Sequence, residues 1–150
     1  MSRVQLALNV SDLDEAVTFY STLFGVGPAK VRPGYANFAV ADPPLKLVLI
    51  EGGAPGTVNH LGIEVASTDE VTAATTALAA AGLATDVEAG TTCCYAVQDK
   101  VWADGPDRVR GEVYTVLADA DAAPAAGLDG DGACCAPSAA GRPPATPACS

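Results

Sequence analysis

A chain of 150 residues has room for one domain with a real core, or for two half-size modules that share one. Its 49% apolar and 17% charged residues are those of a soluble globular protein, with a core drawn mainly from Val, Leu, Ile and Ala. The formal charge of −10 argues against nucleic acid, whose phosphates need clustered Lys or Arg, and against anionic membrane surfaces.

No apolar run is long enough to span a bilayer. The opening MSRVQLALNV lacks the apolar h-region and small-residue cleavage site of a secretory signal. The expected location is the cytoplasm. Five cysteines occur, Cys93, Cys94, Cys134, Cys135 and Cys149, and two pairs are sequence neighbours. An odd number with adjacent pairs makes a poor disulfide framework, so ligand or reactive roles are favoured over staples.

The first strand is Val4–Val10, followed by an N-cap at Ser11-Asp12 with acidic residues in the first turn. A helix over Leu13–Phe24 places Leu13, Ala16, Val17, Tyr20 and Phe24 on one face. Gly25 and Gly27-Pro28 end it. Three short strands follow, Ala29–Arg32, Tyr35–Val40 and Leu45–Glu51, divided by the turns Pro33-Gly34 and Asp42-Pro43-Pro44. Gly52–Gly56 reads as a linker.

The same order then repeats. Val58–Val65 is a strand, Ser67-Thr68-Asp69 a cap, and a helix runs to Ala81. Strands are expected near Ala84–Glu88, Cys94–Asp99 and Glu112–Leu117, with an enlarged loop over Lys100–Gly111 that carries Trp102. A constant offset of 55 relates Leu6 to Leu61, Leu8 to Ile63, Val10 to Val65, Asp14 to Asp69, Glu15 to Glu70 and Leu23 to Leu78. The chain is thus read as α+β, with two tandem βαβββ modules. Module one spans 1–51, the linker 52–57 and module two 58–117. From Ala118 the composition turns to Ala, Gly, Pro and Asp without periodicity, so residues 118–150 are expected to form a disordered tail with its three cysteines exposed.

The offset also pairs Gln5 with His60, the only histidine in the chain, on equivalent first strands. Glu112 on the last strand shares their inward parity, and its module-one counterpart is taken to be Lys46. The candidate metal site is therefore Gln5, His60 and Glu112: an amide oxygen, an imidazole and a carboxylate, with positions left open for water, substrate or dioxygen. The competing reading makes His60 a hydrogen-bonded structural residue and Gln5 and Glu112 surface groups.

Cys93-Cys94 is the second candidate. Neighbouring side chains of a strand point to opposite faces, so two sulfurs can grip one atom only where the backbone leaves extended geometry. The pair is placed at a loop entering the strand, where two thiolates suit trivalent arsenic or a soft metal. The bland alternative is two small buried apolar residues.

The segments LALNVSDLDEAVTFYSTLFG, NHLGIEV and TTCCYAVQDKVW, set on tandem βαβββ modules from Met1 to about Leu117, resemble the vicinal oxygen chelate superfamily of glyoxalases, bleomycin-resistance proteins and extradiol dioxygenases. The likeness is strongest to its organoarsenical carbon–arsenic lyase and cadmium-induced branch. It implies a non-haem Fe(II) enzyme that uses dioxygen to cleave the carbon–arsenic bond of trivalent organoarsenicals such as methylarsonous acid, giving arsenite. It implies Gln5, His60 and Glu112 as metal ligands, Cys93 and Cys94 as substrate thiols, and a monomer or homodimer. Loop Lys100–Gly111, with Trp102 at its start, is expected to act as a lid. The sequence departs from the usual two-histidine, one-carboxylate iron triad at Gln5. The rival expectations are a non-catalytic cadmium- or arsenic-binding protein and a glyoxalase-like enzyme of the same fold.

Overall fold

In the computed structural model, residues 2–121 are described. The expected tail, with Cys134, Cys135 and Cys149, lies outside them from residue 122 onward. Module one contributes β1 (Arg3–Val10), α1 (Leu13–Phe24), β2 (Lys30–Arg32), β3 (Tyr35–Val40) and β4 (Leu45–Glu51). Module two contributes β5 (Val58–Glu64), α2 (Thr68–Ala80), β6 (Thr85–Cys93), β7 (Ala96–Asp104) and β8 (Arg110–Asp119).

The helices start where their caps dictate. Asp12 accepts a hydrogen bond from the Glu15 backbone N–H at 2.8 Å, and Ser67 from that of Glu70 at 3.3 Å, each worth about 1 kcal/mol. Glu70 also accepts from the N–H of Ala66, the residue before the cap, at 2.7 Å, which ties the entry of the chain to the first turn. No described helix is long and apolar enough to cross a membrane.

All eight strands join one mixed sheet in the order β2-β3-β4-β1-β5-β8-β7-β6. The two modules meet where β1 pairs antiparallel with β5, and each inner strand has a parallel neighbour, β4 beside β1 and β8 beside β5. Alternation along β4 shows how the sheet uses its two faces. Leu47 and Leu49 pack towards α1 with Leu13, Ala36 and Phe38, whereas Val48 and Ile50 face the other side with Ala7, Tyr35, Cys93, Cys94 and Trp102. That second face is the concave one, because the sheet curls until the first edge reaches the last hairpin. Lys30 on β2 donates to the Tyr95 carbonyl oxygen at 3.2 Å and pairs with Asp119 at the end of β8.

Four expectations need correction. The strands expected at Ala84–Glu88 and Cys94–Asp99 are longer, running to Cys93 and Asp104, and are joined by a two-residue turn. The enlarged loop over Lys100–Gly111 therefore shrinks to a single 3-10 turn at Pro106–Arg108. Lys100 hid the strand: a lysine reads as a solvent-facing break, yet here it is buried at 1% exposure by a carboxylate partner. The last strand also extends two residues past Leu117, to Asp119. Finally, the counterpart of Glu112 is Val48 rather than Lys46, since Glu112 pairs with Gly62 and Val48 with Ala7, which the 55-residue offset makes equivalent.

Candidate functional site

Gln5, His60 and Glu112 come together because their strands are neighbours in the sheet. The β1–β5 register sets Gln5 opposite Gly62 and Ala7 opposite His60, and β8 brings Glu112 beside Gly62 from the other side. Gly62 makes the meeting possible: a Cβ there would stand 3.1 Å from Glu112 Cγ and 3.3 Å from Gln5 Cβ. Gln5 Nε2 lies 2.8 Å from Glu112 Oε1 and 3.0 Å from His60 Nε2, and His60 Nε2 is 3.3 Å from Glu112 Oε1. All three residues are at most 5% exposed.

A ring of charge surrounds them. Lys100 donates to Glu112 Oε2 at 2.9 Å, leaving Oε1 for the centre. Burial pushes the Glu112 carboxyl up, but the contact with His60 and the Lys100 ammonium outweigh it and hold it below the usual carboxylate range. Beneath Gln5, Glu64 accepts from Arg3 at 2.9 Å, from Lys46 at 3.1 Å and from the Tyr114 hydroxyl at 2.8 Å. Burial, and then the charge of Glu64, push the Tyr114 phenol far up, so it remains a donor. Burial likewise lowers the Lys46 ammonium against the opposing pull of Glu64.

The hydrogen-bond arithmetic of Gln5 shows what the centre can hold. The Tyr114 hydroxyl has one hydrogen, yet both Gln5 Oε1 and Glu64 Oε2 lie against it. Turning the amide over resolves this. Gln5 N–H then donates to the Tyr114 oxygen, and Tyr114 gives its hydrogen to Glu64. The amide oxygen now faces Glu112 Oε1 and His60 Nε2, so with the imidazole bare at Nε2 three acceptor atoms converge, a demand that a cation meets. Their mutual separations of 2.8–3.3 Å also suit it, because adjacent donors around a six-coordinate cation with bonds near 2.1 Å stand about 3 Å apart. Among the described residues there is no cluster of three His, Cys, Asp or Glu, and the third ligand of this set would be the amide.

Cys93 ends β6, and Cys94 and Tyr95 form the turn into β7 with φ of 52° and 62°. Two successive left-handed residues define a type I′ hairpin, for which Asn-Gly would be the unstrained choice. The backbone thus leaves extended geometry at the pair, as two sulfurs facing one atom require. They stand 3.4 Å apart, too far to be bonded to each other. Cys94 is in disulfide form in this structure, so a dithiol exists here only after reduction. The turn is fastened to module one by Lys30 on the Tyr95 carbonyl and by the Tyr95 hydroxyl on the Pro33 carbonyl oxygen at 3.3 Å.

Trp102 joins the two groups. It shares the concave cluster with Cys93 and Cys94, pairs in register with Glu112, and stands edge-on to the His60 ring at 5.4 Å. At 1% exposure within β7 it is a fixed wall, which corrects its expected place on a closing loop. The two clefts flanking α1 contain neither the thiols nor the Gln5–His60–Glu112 group. Sequence reasoning missed Lys100, Tyr114, Glu64 and Asn59. Reading Ala96–Asp104 as one strand would have exposed Lys100, which shares the parity of Trp102.

The family model for the glyoxalase/bleomycin resistance protein/dioxygenase superfamily matches residues 3–113, and the chain belongs to that superfamily. It is 65% identical over 122 residues to the cadmium-induced protein CadI of Mycobacterium tuberculosis, covering 81% of this chain and 80% of that one. It is 59% identical over 139 residues to the trivalent organoarsenical cleaving enzyme of Thermomonospora curvata, covering 91% and 90%. Among solved structures, an extradiol ring-cleaving dioxygenase from B. fuscum superposes with a TM-score of 0.58 at 17% identity, over 79% of this chain and 34% of that one. At that identity the likeness bears on the fold alone.

Proposed function

We propose that this chain is an enzyme that cleaves the carbon–arsenic bond of trivalent organoarsenicals, with methylarsonous acid and trivalent aromatic arsenicals as substrates and arsenite as the arsenic product. Gln5, His60 and Glu112 hold Fe(II), and dioxygen is the co-substrate. The observation that carries this reading is the placement of a vicinal cysteine pair and a cation-demanding triad on one concave face with Trp102 between them. The name borne by a relative of near-equal length supports the substrate class.

The division of labour follows from the chemistry of the two groups. Reduced Cys93 and Cys94 each replace a hydroxyl on trivalent arsenic, forming two As–S bonds and releasing two waters, with the organic group still attached. Soft sulfur suits arsenic, while the harder amide, imidazole and carboxylate suit iron. When bound, Fe(II) supplies a redox-active cation with open positions for dioxygen. Lys100 keeps Glu112 ionised and turned to present one oxygen, and Tyr114 orients the Gln5 amide. Trp102 and the clamped turn hold both groups in fixed relation, which raises their effective concentration for each other.

Product analysis tests the reading. Reduced protein loaded with Fe(II) and given methylarsonous acid in air should release arsenite, and the same mixture without air should not. A protein that merely sequesters arsenic would return the organoarsenical intact under both conditions, and that result would refute the enzyme.

A further inference from the structure

A neutral imidazole offers a lone pair from only one of its two nitrogens. For His60 the choice is made by a chain of hydrogen bonds that begins at the linker between the modules. The Thr57 hydroxyl gives its single hydrogen to the Ala54 carbonyl oxygen at 2.5 Å, an atom that can only accept. Thr57 Oγ1 is therefore an acceptor towards Asn9, whose Nδ2 donates to it at 2.9 Å. That turns the Asn9 carbonyl oxygen towards Asn59, whose Nδ2 donates to it at 3.0 Å. Asn59 Oδ1 is then the atom left against His60 Nδ1, at 2.7 Å, and it has nothing to donate. The hydrogen between them belongs to the imidazole.

We infer that Asn59, Asn9 and Thr57 are positioning residues that keep His60 protonated on Nδ1, so that the lone pair of neutral His60 lies on Nε2, towards Gln5 and Glu112, before any cation arrives. The inference rests on the reading of that group as a metal site. Both ends of the chain fit it. At the linker end, a Cβ on Gly53 would stand 3.2 Å from the Asn9 carboxamide carbon, and Gly53 has a φ of +64°. The backbone of Asn9 is tied to the same linker by bonds of 2.9 Å to Thr57 O and from Gly56 N. At the far end, with the Gln5 amide turned as above, its oxygen and Glu112 Oε1 both face His60 Nε2, so a bare Nε2 completes a set of three acceptors for a cation. The histidine side chain in water prefers the opposite tautomer, Nε2–H, so the chain works against the intrinsic preference.

Because His60 is the only histidine, a long-range proton–nitrogen spectrum of untagged, metal-free protein at alkaline pH reports one imidazole. The expected pattern is a protonated-type shift at Nδ1 and a bare-type shift at Nε2. Asn59→Asp keeps the acceptor and should keep the pattern. Asn59→Leu should move His60 towards the Nε2–H form and weaken Mn(II) binding, used as an air-stable stand-in for Fe(II), roughly 10- to 100-fold. Thr57→Val, which frees Asn9 to turn over, should shift both readouts the same way by less. An Nε2–H pattern in the native chain, or an Asn59→Leu protein with unchanged tautomer and Mn(II) affinity, would overturn the inference. A native chain with the expected pattern that binds no Mn(II) would refute the metal reading and leave the tautomer relay standing.

Discussion

At Gly62 the missing side chain is what counts. Gln5 and Glu112 pass on either side of it, and the space a methyl group would need is taken by Glu112 Cγ at 3.1 Å. Gly62→Ala should therefore displace Glu112 or Gln5 while leaving the strand intact. Mn(II) titration should show at least a tenfold loss of affinity, with the thermal midpoint shifted by only a few degrees. Glu64 carries the clearest pH signature of the residues beneath the site. Burial pushes its carboxyl up, but Lys46, the Tyr114 hydroxyl and Arg3 more than offset this and hold it below its ordinary value of 4.5. A group depressed in the folded state stabilises the fold above its unfolded pKa, and that contribution is lost as pH falls through the folded value. Denaturant melts should show stability declining below about pH 4.5, and Glu64→Gln should flatten that limb.

At the scale of elements, the β6–β7 turn concentrates both strain and chemistry. Two non-glycine residues in left-handed geometry cost of order 1 kcal/mol each, and the contacts of Tyr95 and Lys30 with module one hold them there. Removing the Lys30 clamp should loosen the turn without unfolding the sheet. In Lys30→Ala, amide exchange at Ala120, whose N–H donates to the Tyr95 carbonyl, should quicken, and KM for the organoarsenical should rise more than kcat falls. An unchanged exchange rate would show that the turn holds itself. This element also marks where sequence reading reached its limit. Gln5 and His60 stand out because one offset superimposes their strands, and Glu112 follows from strand parity. The turn at Cys94-Tyr95 carries no Gly, Asn or Asp, so nothing in the string announces a two-residue hairpin. Without it the sequence does not extend β6 and β7, and Lys100 and Trp102 fall on a loop. Lys100 is legible only once Glu112 is known to lie beside it, a pairing that the register supplies and composition does not.

For the whole molecule, duplication sets both what the site contains and what it lacks. Module one contributes Gln5, and where module two has Glu112 it has Val48, an apolar wall of the same concave cluster. Asymmetry between the copies thus yields one triad rather than two. Charge follows the same plan. In a chain of net −10, the basic residues Arg3, Lys46, Lys100 and Arg110 gather around the site or its Trp102 wall. Arg3, Lys46 and Lys100 hold the carboxylates Glu64 and Glu112 ionised, as the proposed cation site requires. The Asn59 relay was invisible for the same reason as Lys100: its links join β1, the linker and β5, and only the β1–β5 register brings Asn9 and Asn59 together.

The most direct test of two groups acting on one molecule is Cys93→Ser, assayed for iron content and arsenite release on the same preparation. Iron should load as in the native chain while arsenite release from methylarsonous acid falls to background. Arsenite released at the native rate, or iron lost along with the sulfur, would contradict a site in which the thiols hold the substrate and Gln5, His60 and Glu112 hold the metal.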